Sequence, residues 1–267
     1  MVAYVELLLL GAVAGFTIFL GLPLAALQKV SSNVKGFLNA IAMGILVFLI
    51  VDVFAHALSS VEDATVGAFT GTAPLGDALM ALLALFGGLA VGLLGLVLYE
   101  ARYLRRRGAE AASPSADAYR LATMIAIGIG AHNFSEGLAI GQSYASGSIG
   151  LALLLIIGFG AHNSTEGFGI AGPLTGLAKR PTVRFLITAG LIGGGPTFLG
   201  TIVGSVWSSA FTYVLFLSVA GGALVYVTLM MYNVGRRQAP NTILMVGIFV
   251  GLVAGFATVL LVTLGGA

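Results

Sequence analysis

"GAHNFSEG" occupies residues 130–137, and "GAHNSTEG" occupies residues 160–167. These near-copies hold two of the chain's three histidines and two of its ten acidic residues, in surroundings that are otherwise almost wholly apolar. On a helix that turns about 100° per residue, His132, Glu136 and Asn133 fall at about 0°, 40° and 100°, one polar arc. His162, Glu166 and Asn163 repeat that arc on the following segment.

Of the 267 residues, 58% are hydrophobic and 8% charged, against about 25% charged in a soluble domain. Apolar runs of roughly 20 residues recur along the chain, long enough to cross a bilayer as helices. The reading is an all-α, multi-pass protein of the cell membrane, with residues 1–267 forming a single domain. The absence of cysteine excludes disulfides and thiolate metal ligands. No basic segment precedes the first apolar run, so no cleaved signal peptide is expected.

Eight transmembrane helices are predicted, at 3–28, 34–60, 75–103, 119–145, 148–173, 182–206, 209–234 and 241–265. Lys29 and Lys35 lie in the first connection; Arg102, Arg105, Arg106, Arg107 and Arg120 lie in or beside the third. Lys179, Arg180 and Arg184 flank the fifth, and Arg236 and Arg237 the seventh. All twelve basic residues therefore sit on alternate connections, while the second carries Glu62 and Asp63. The positive-inside rule then places both termini outside. "RRRGAEAASPSAD" (105–117) is the only candidate flexible linker, and its arginines read as a topological anchor.

A weak internal repeat sharpens this picture. "FLG" at 19–21 recurs at 198–200, and "GILVF" at 44–48 resembles "GALVY" at 222–226. Spans five apart cross in opposite senses, which suggests an inverted 3+2+3 organisation with spans four and five in the middle. Such repeats commonly place a binding site near the bilayer midplane.

His132 and His162 each lie about thirteen residues, or about 20 Å, into their spans, near mid-bilayer. An ionised side chain there costs about 2.5–3.5 kcal/mol, so Glu136 and Glu166 together cost roughly 5–7 kcal/mol before their repulsion. A divalent cation offsets this directly, because neutral imidazole and carboxylate are good ligands for zinc and its first-row neighbours. A lone intramembrane His or Asn often serves as an interhelical hydrogen-bonding group, but that role accounts for one motif and not for a duplicate at matched depth. HxxxE is not the zincin HExxH, and no Ser–His–acid arrangement stands out, so no enzyme is expected.

At these residues the sequence resembles the ZIP (Zrt/Irt-like) metal transporters, whose fourth span carries His-Asn-x-Pro-Glu-Gly and whose fifth carries a related His/Glu motif. The resemblance implies uptake of divalent metal toward the cytoplasm through a site on spans four and five, an elevator-like rearrangement and frequent homodimers. The metal ligands it implies are His132, Glu136, His162 and Glu166, with Asn133 and Asn163 in support. Metal is the substrate and not a catalytic cofactor: zinc foremost, with iron, manganese or cadmium as alternatives. A non-transporting membrane metal sensor is the alternative function; lipid is the other partner, and no nucleic acid is expected. Ser135 and Thr165 replace the family's prolines, and Gly195 stands before Pro196 where the family often has Glu. One complete metal site, not a two-metal cluster, is therefore expected. Asp52 and His56 form a further i,i+4 pair on span two, read as an ion-capture or relay site toward the external mouth or equally as a polar cap near water.

Overall fold

Wherever lipid surrounds a chain, its backbone polar groups must find partners internally, and an α-helix supplies them within one segment. The computed structural model describes residues 2–29, 31–104, 114–145, 149–207 and 209–264, without the side chains at 2–3, 103–104, 114, 149–151, 154–155, 162 and 261–264. No strand occurs among the described residues. The helices are α1 (Val2–Phe16), α2 (Ser32–Thr70), α3 (Leu75–Tyr99) and α4 (Pro114–Ala145), then α5 (Ile149–Ala171), α6 (Val183–Val206), α7 (Ala210–Gln238) and α8 (Asn241–Leu264). Among the described residues, six helical segments are long and apolar enough to cross a membrane, which makes this a multi-pass membrane protein. They involve α1, α2, α3, α6, α7 and α8. In α4 the His-Asn-Glu cluster lowers the apolar content of the segment that holds it.

Two segments differ from their expected limits. The first is α-helical only to Phe16, then continues as 3-10 turns at Thr17–Leu20 and Leu22–Ala26. Pro23 lacks the N–H that would continue an α-helix, and the Thr17 hydroxyl donates to the Ala14 carbonyl at 2.7 Å. The second runs ten residues past its expected end at 60, to Thr70, where Gly71 adopts φ 73° and returns its N–H to Gly67. At about 1.5 Å per residue, this 39-residue helix is about 58 Å long, well beyond the apolar core of a bilayer of about 30 Å. Glu62 and Asp63 therefore lie on a helix and not in a connection, and both are exposed. Most of the expected linker 105–117, including Arg105, Arg106 and Arg107, lies outside the described residues.

Glycines divide the helices into two sets. Within the first, α1, α4, α5 and α6, backbones nearly touch: a Cβ on Gly137 would lie 2.1 Å from the Thr197 carbonyl oxygen, and one on Gly15 would lie 2.3 Å from that of Gly194. Within the second, α2, α3, α7 and α8, a Cβ on Gly44 would lie 2.2 Å from the Ile248 oxygen and one on Gly92 2.0 Å from the Val219 oxygen. Between the sets the approach is looser, with Gly128 to Ala223 at 3.5 Å and Gly172 to Ala42 at 3.4 Å. Buried aliphatic side chains such as Leu46, Ile125, Ile129 and Leu224 belong to the core that spans both sets.

Candidate metal centre

Both motifs fall inside uninterrupted helices, as expected of segments with Ser135 and Thr165 in place of proline. The Ser135 hydroxyl donates to the His132 carbonyl at 2.6 Å. His132, Asn133 and Glu136 on α4 are buried, as are Asn163 and Glu166 on α5. The side chain of His162 lies outside the described residues.

The i,i+4 spacing sets His132 Nε2 3.3 Å from Glu136 Oε1, and the packing of α5 against α4 brings Glu166 Oε1 to 3.9 Å from the same nitrogen. Two ligands bound at about 2.1 Å to one tetrahedral ion stand about 3.4 Å apart. The His132–Glu136 separation is therefore already that of two ligands sharing an ion. Glu166 is drawn aside, because its Oε2 accepts a hydrogen bond from Asn133 Nδ2 at 2.9 Å. Accordingly, no three His, Cys, Asp or Glu side chains among the described residues yet converge on one metal position. Glu166 Oε1 has no hydrogen-bond partner among the described residues and faces His132.

The amide nitrogens of both asparagines are engaged with neighbouring helices. Asn133 Nδ2 also donates to the Gly193 carbonyl of α6 at 3.0 Å. Next to it, Pro196 denies the Ile192 carbonyl its helical N–H, and Gly130 of α4 packs against that oxygen, where a Cβ would come to 2.2 Å. Asn163 Nδ2 donates to Ala14 in the last turn of α1 at 2.8 Å. There, where α1 gives way to a 3-10 turn, the final carbonyls lack helical partners. The supporting carbonyls escaped the sequence reading, since nothing in a linear motif names its partners on α1 and α6.

A comparison with protein families matches residues 105–263, which include both motif helices and all that follows to α8, to the ZIP zinc transporter model. The chain belongs to the ZIP zinc transporter family. No curated protein matches it. ZIP proteins are membrane transporters of divalent metal and not enzymes. The remaining candidate positions are best placed against that background. Asp52 and His56 lie on α2 with 3.7 Å between His56 Nδ1 and Asp52 Oδ2, and the His56 side chain is 58% exposed. The pair is near enough to the centre for the Asp52 charge to act on His132 and Glu136, and for His56 to act on Glu136. Gly195 does not face the motif residues: it shares a helix face with Leu191 and Leu199, which are exposed, and a Cβ there would meet nothing within 4 Å. The position on α6 that is buried beside the centre is Thr197, whose hydroxyl has no hydrogen-bond partner among the described residues.

Proposed function

We propose that this ZIP protein carries divalent transition-metal ions, zinc foremost, across the cell membrane toward the cytoplasm. Its ligands are His132, Glu136, His162 and Glu166, with Asn133 and Asn163 in support. The observation that carries the reading is His132 Nε2 facing two buried carboxylates at 3.3 and 3.9 Å. Two carboxylates and neutral imidazole sum to two negative charges, so a divalent ion leaves the centre neutral in a medium of low dielectric. Glu166 completes the set by closing on the ion from its place beside Asn133. The fully helical fold, the charge alternation and the short repeats support eight spans in a 3+2+3 arrangement with both termini outside.

Transport needs the centre to face each side in turn, and two helix sets that are closely packed within and more loosely packed against each other favour sliding as units. The motif helices would move in the set α1, α4, α5 and α6, against a frame of α2, α3, α7 and α8 that also provides the face for a homodimer. Asp52 and His56, exposed yet within electrostatic reach of Glu136, would attract cations toward the centre. Purified protein in liposomes, assayed in parallel with zinc, ferrous iron, manganese and cadmium, tests the proposal. Flux that is lost in Glu136→Gln is expected; tight binding without flux of any of the four would overturn it in favour of a metal sensor.

A further inference from the structure

A second cluster of ionisable groups gathers around one buried carboxylate, and the metal centre makes no use of it. Glu100, at the end of α3 where a π-helical turn Glu100–Leu104 begins, is 4% exposed. Its carboxylate accepts a hydrogen bond from the Tyr226 hydroxyl on α7. It also lies 3.7 Å from the Arg120 guanidinium on α4. Arg120 in turn meets Asp117 on its own helix at 3.1 Å.

What sets this cluster apart is what it joins. Glu100 and Tyr226 belong to one helix set, while Arg120 belongs to the other, on the helix that carries His132 and Glu136. Asp52 with His56 on α2, and His132 with Glu136 and Glu166 on α4 and α5, are by contrast close ion contacts within one set. The Arg120–Glu100 contact crosses the plane where the two sets approach less closely than the helices within each.

We propose that Glu100, Arg120 and Tyr226 form a clasp across that plane, which holds the arrangement described here and sets how readily the motif helices leave it. The consequence for flux rests on the transporter reading; the clasp itself does not. Breaking a buried ion pair is costly when it strands a charge. Here neither charge is stranded, because Arg120 keeps Asp117 and Glu100 keeps Tyr226 when the two part. That makes the contact reversible. None of the three residues touches the transported ion, so they are positioning residues.

The chain contains no cysteine, and a Cβ on Gly128 of α4 would lie 3.5 Å from that of Ala223 on α7, within the roughly 3.5–4.5 Å that a disulfide needs. The full-length double variant Gly128→Cys/Ala223→Cys, in liposomes with a mild oxidant, therefore cross-links in this arrangement. Added to it, Glu100→Gln or Arg120→Gln should slow disulfide formation by about tenfold, the factor for losing one charge-assisted contact. Tyr226→Phe, which keeps every charge and guards against a misfolded charge variant, should slow it by a smaller factor. Asp117→Asn removes only the contact inside α4 and should leave the rate unchanged. Zinc affinity of the purified variants should stay within about twofold of the parent, because the sites are remote. Unchanged cross-linking in both Glu100→Gln and Arg120→Gln, or an equal loss in Asp117→Asn, overturns the clasp. Cross-linking that responds as expected in a protein without metal flux would uphold the clasp and sink the transporter reading; normal flux with unresponsive cross-linking would do the reverse.

Discussion

Asn133 offers the sharpest separation of a metal ligand from a residue that positions one. Its amide uses both hydrogens, one on Glu166 at 2.9 Å and one on the Gly193 carbonyl at 3.0 Å. A hydrogen bond to a charged group contributes about 1.5–3 kcal/mol and a neutral one about 0.5–1.5 kcal/mol, so Asn133→Ala should lose about 2–4.5 kcal/mol of the energy tying α4 to α5 and α6. Asn133→Asp is more telling. Were the side-chain oxygen the important atom, aspartate would be the better metal ligand and binding would hold or improve. As a donor it is lost twice over, and a second carboxylate about 3 Å from Glu166 adds a bare repulsion of about 6 kcal/mol at an effective dielectric of about 20. The expected order of thermal stability for metal-free protein in detergent is wild type, then Ala, then Asp. Zinc titration calorimetry should show weakened binding in both variants. An Asp variant as stable as wild type without metal, with undiminished zinc affinity, would refute the donor role and make Asn133 a ligand.

Glu136→Gln should nearly abolish zinc binding by calorimetry, whereas Asn163→Ala should only weaken it. The latter removes one of the two hydrogen bonds that the Ala14 carbonyl accepts and leaves it the Thr17 hydroxyl, at a stability cost of about 0.5–1.5 kcal/mol, visible as a lower melting temperature of the solubilised protein. Gly137→Ala forces a Cβ to within 2.1 Å of the Thr197 oxygen, and overpacking of this kind costs about 1–3 kcal/mol or more; a broadened or aggregated size-exclusion profile is the readout. Gly195→Glu should leave zinc stoichiometry at one ion per chain by elemental analysis, because that position shares the face of exposed Leu191 and Leu199. Two ions bound by the variant would show that α6 turns this face toward the centre.

The membrane character and the two polar arcs were legible because each depends on local sequence alone: apolar runs for the first, the angular step of a helix for the second. The extent of α2 was not. Its apolar run stops near Leu58, but the helix continues past Glu62 and Asp63 until Gly71 caps it, since a helix end is decided by capping and not by hydropathy. The facing of Gly195 was not legible for a related reason: only the folded α6 shows that the position before Pro196 lies among exposed leucines. Glu100 went unnoticed because it looks like an ordinary acid at the end of an apolar run. Its partners, Arg120 and Tyr226, come from two other helices and are assembled only by folding.

The repeated motif divides its labour in a way that its repetition alone does not reveal. Each asparagine is aimed at a carbonyl beside a break in regular α-helix: Asn163 at Ala14, where α1 passes into a 3-10 turn, and Asn133 at Gly193, next to the carbonyl that Pro196 leaves without its N–H. Irregular turns are costly in a lipid environment unless their polar groups are satisfied, and each amide adds a donor beside one of them from within the motif. The pair of asparagines thereby docks α4 on α6 and α5 on α1, fixing four helices around one point. The histidine and glutamate of α4, one turn apart, face Glu166 of α5 at that point. In the proposed transporter the duplicated His-Asn-Glu cluster is therefore two things at once. Its asparagine amides brace the frame, and its histidines and glutamates would hold the cargo with the asparagine oxygens in support.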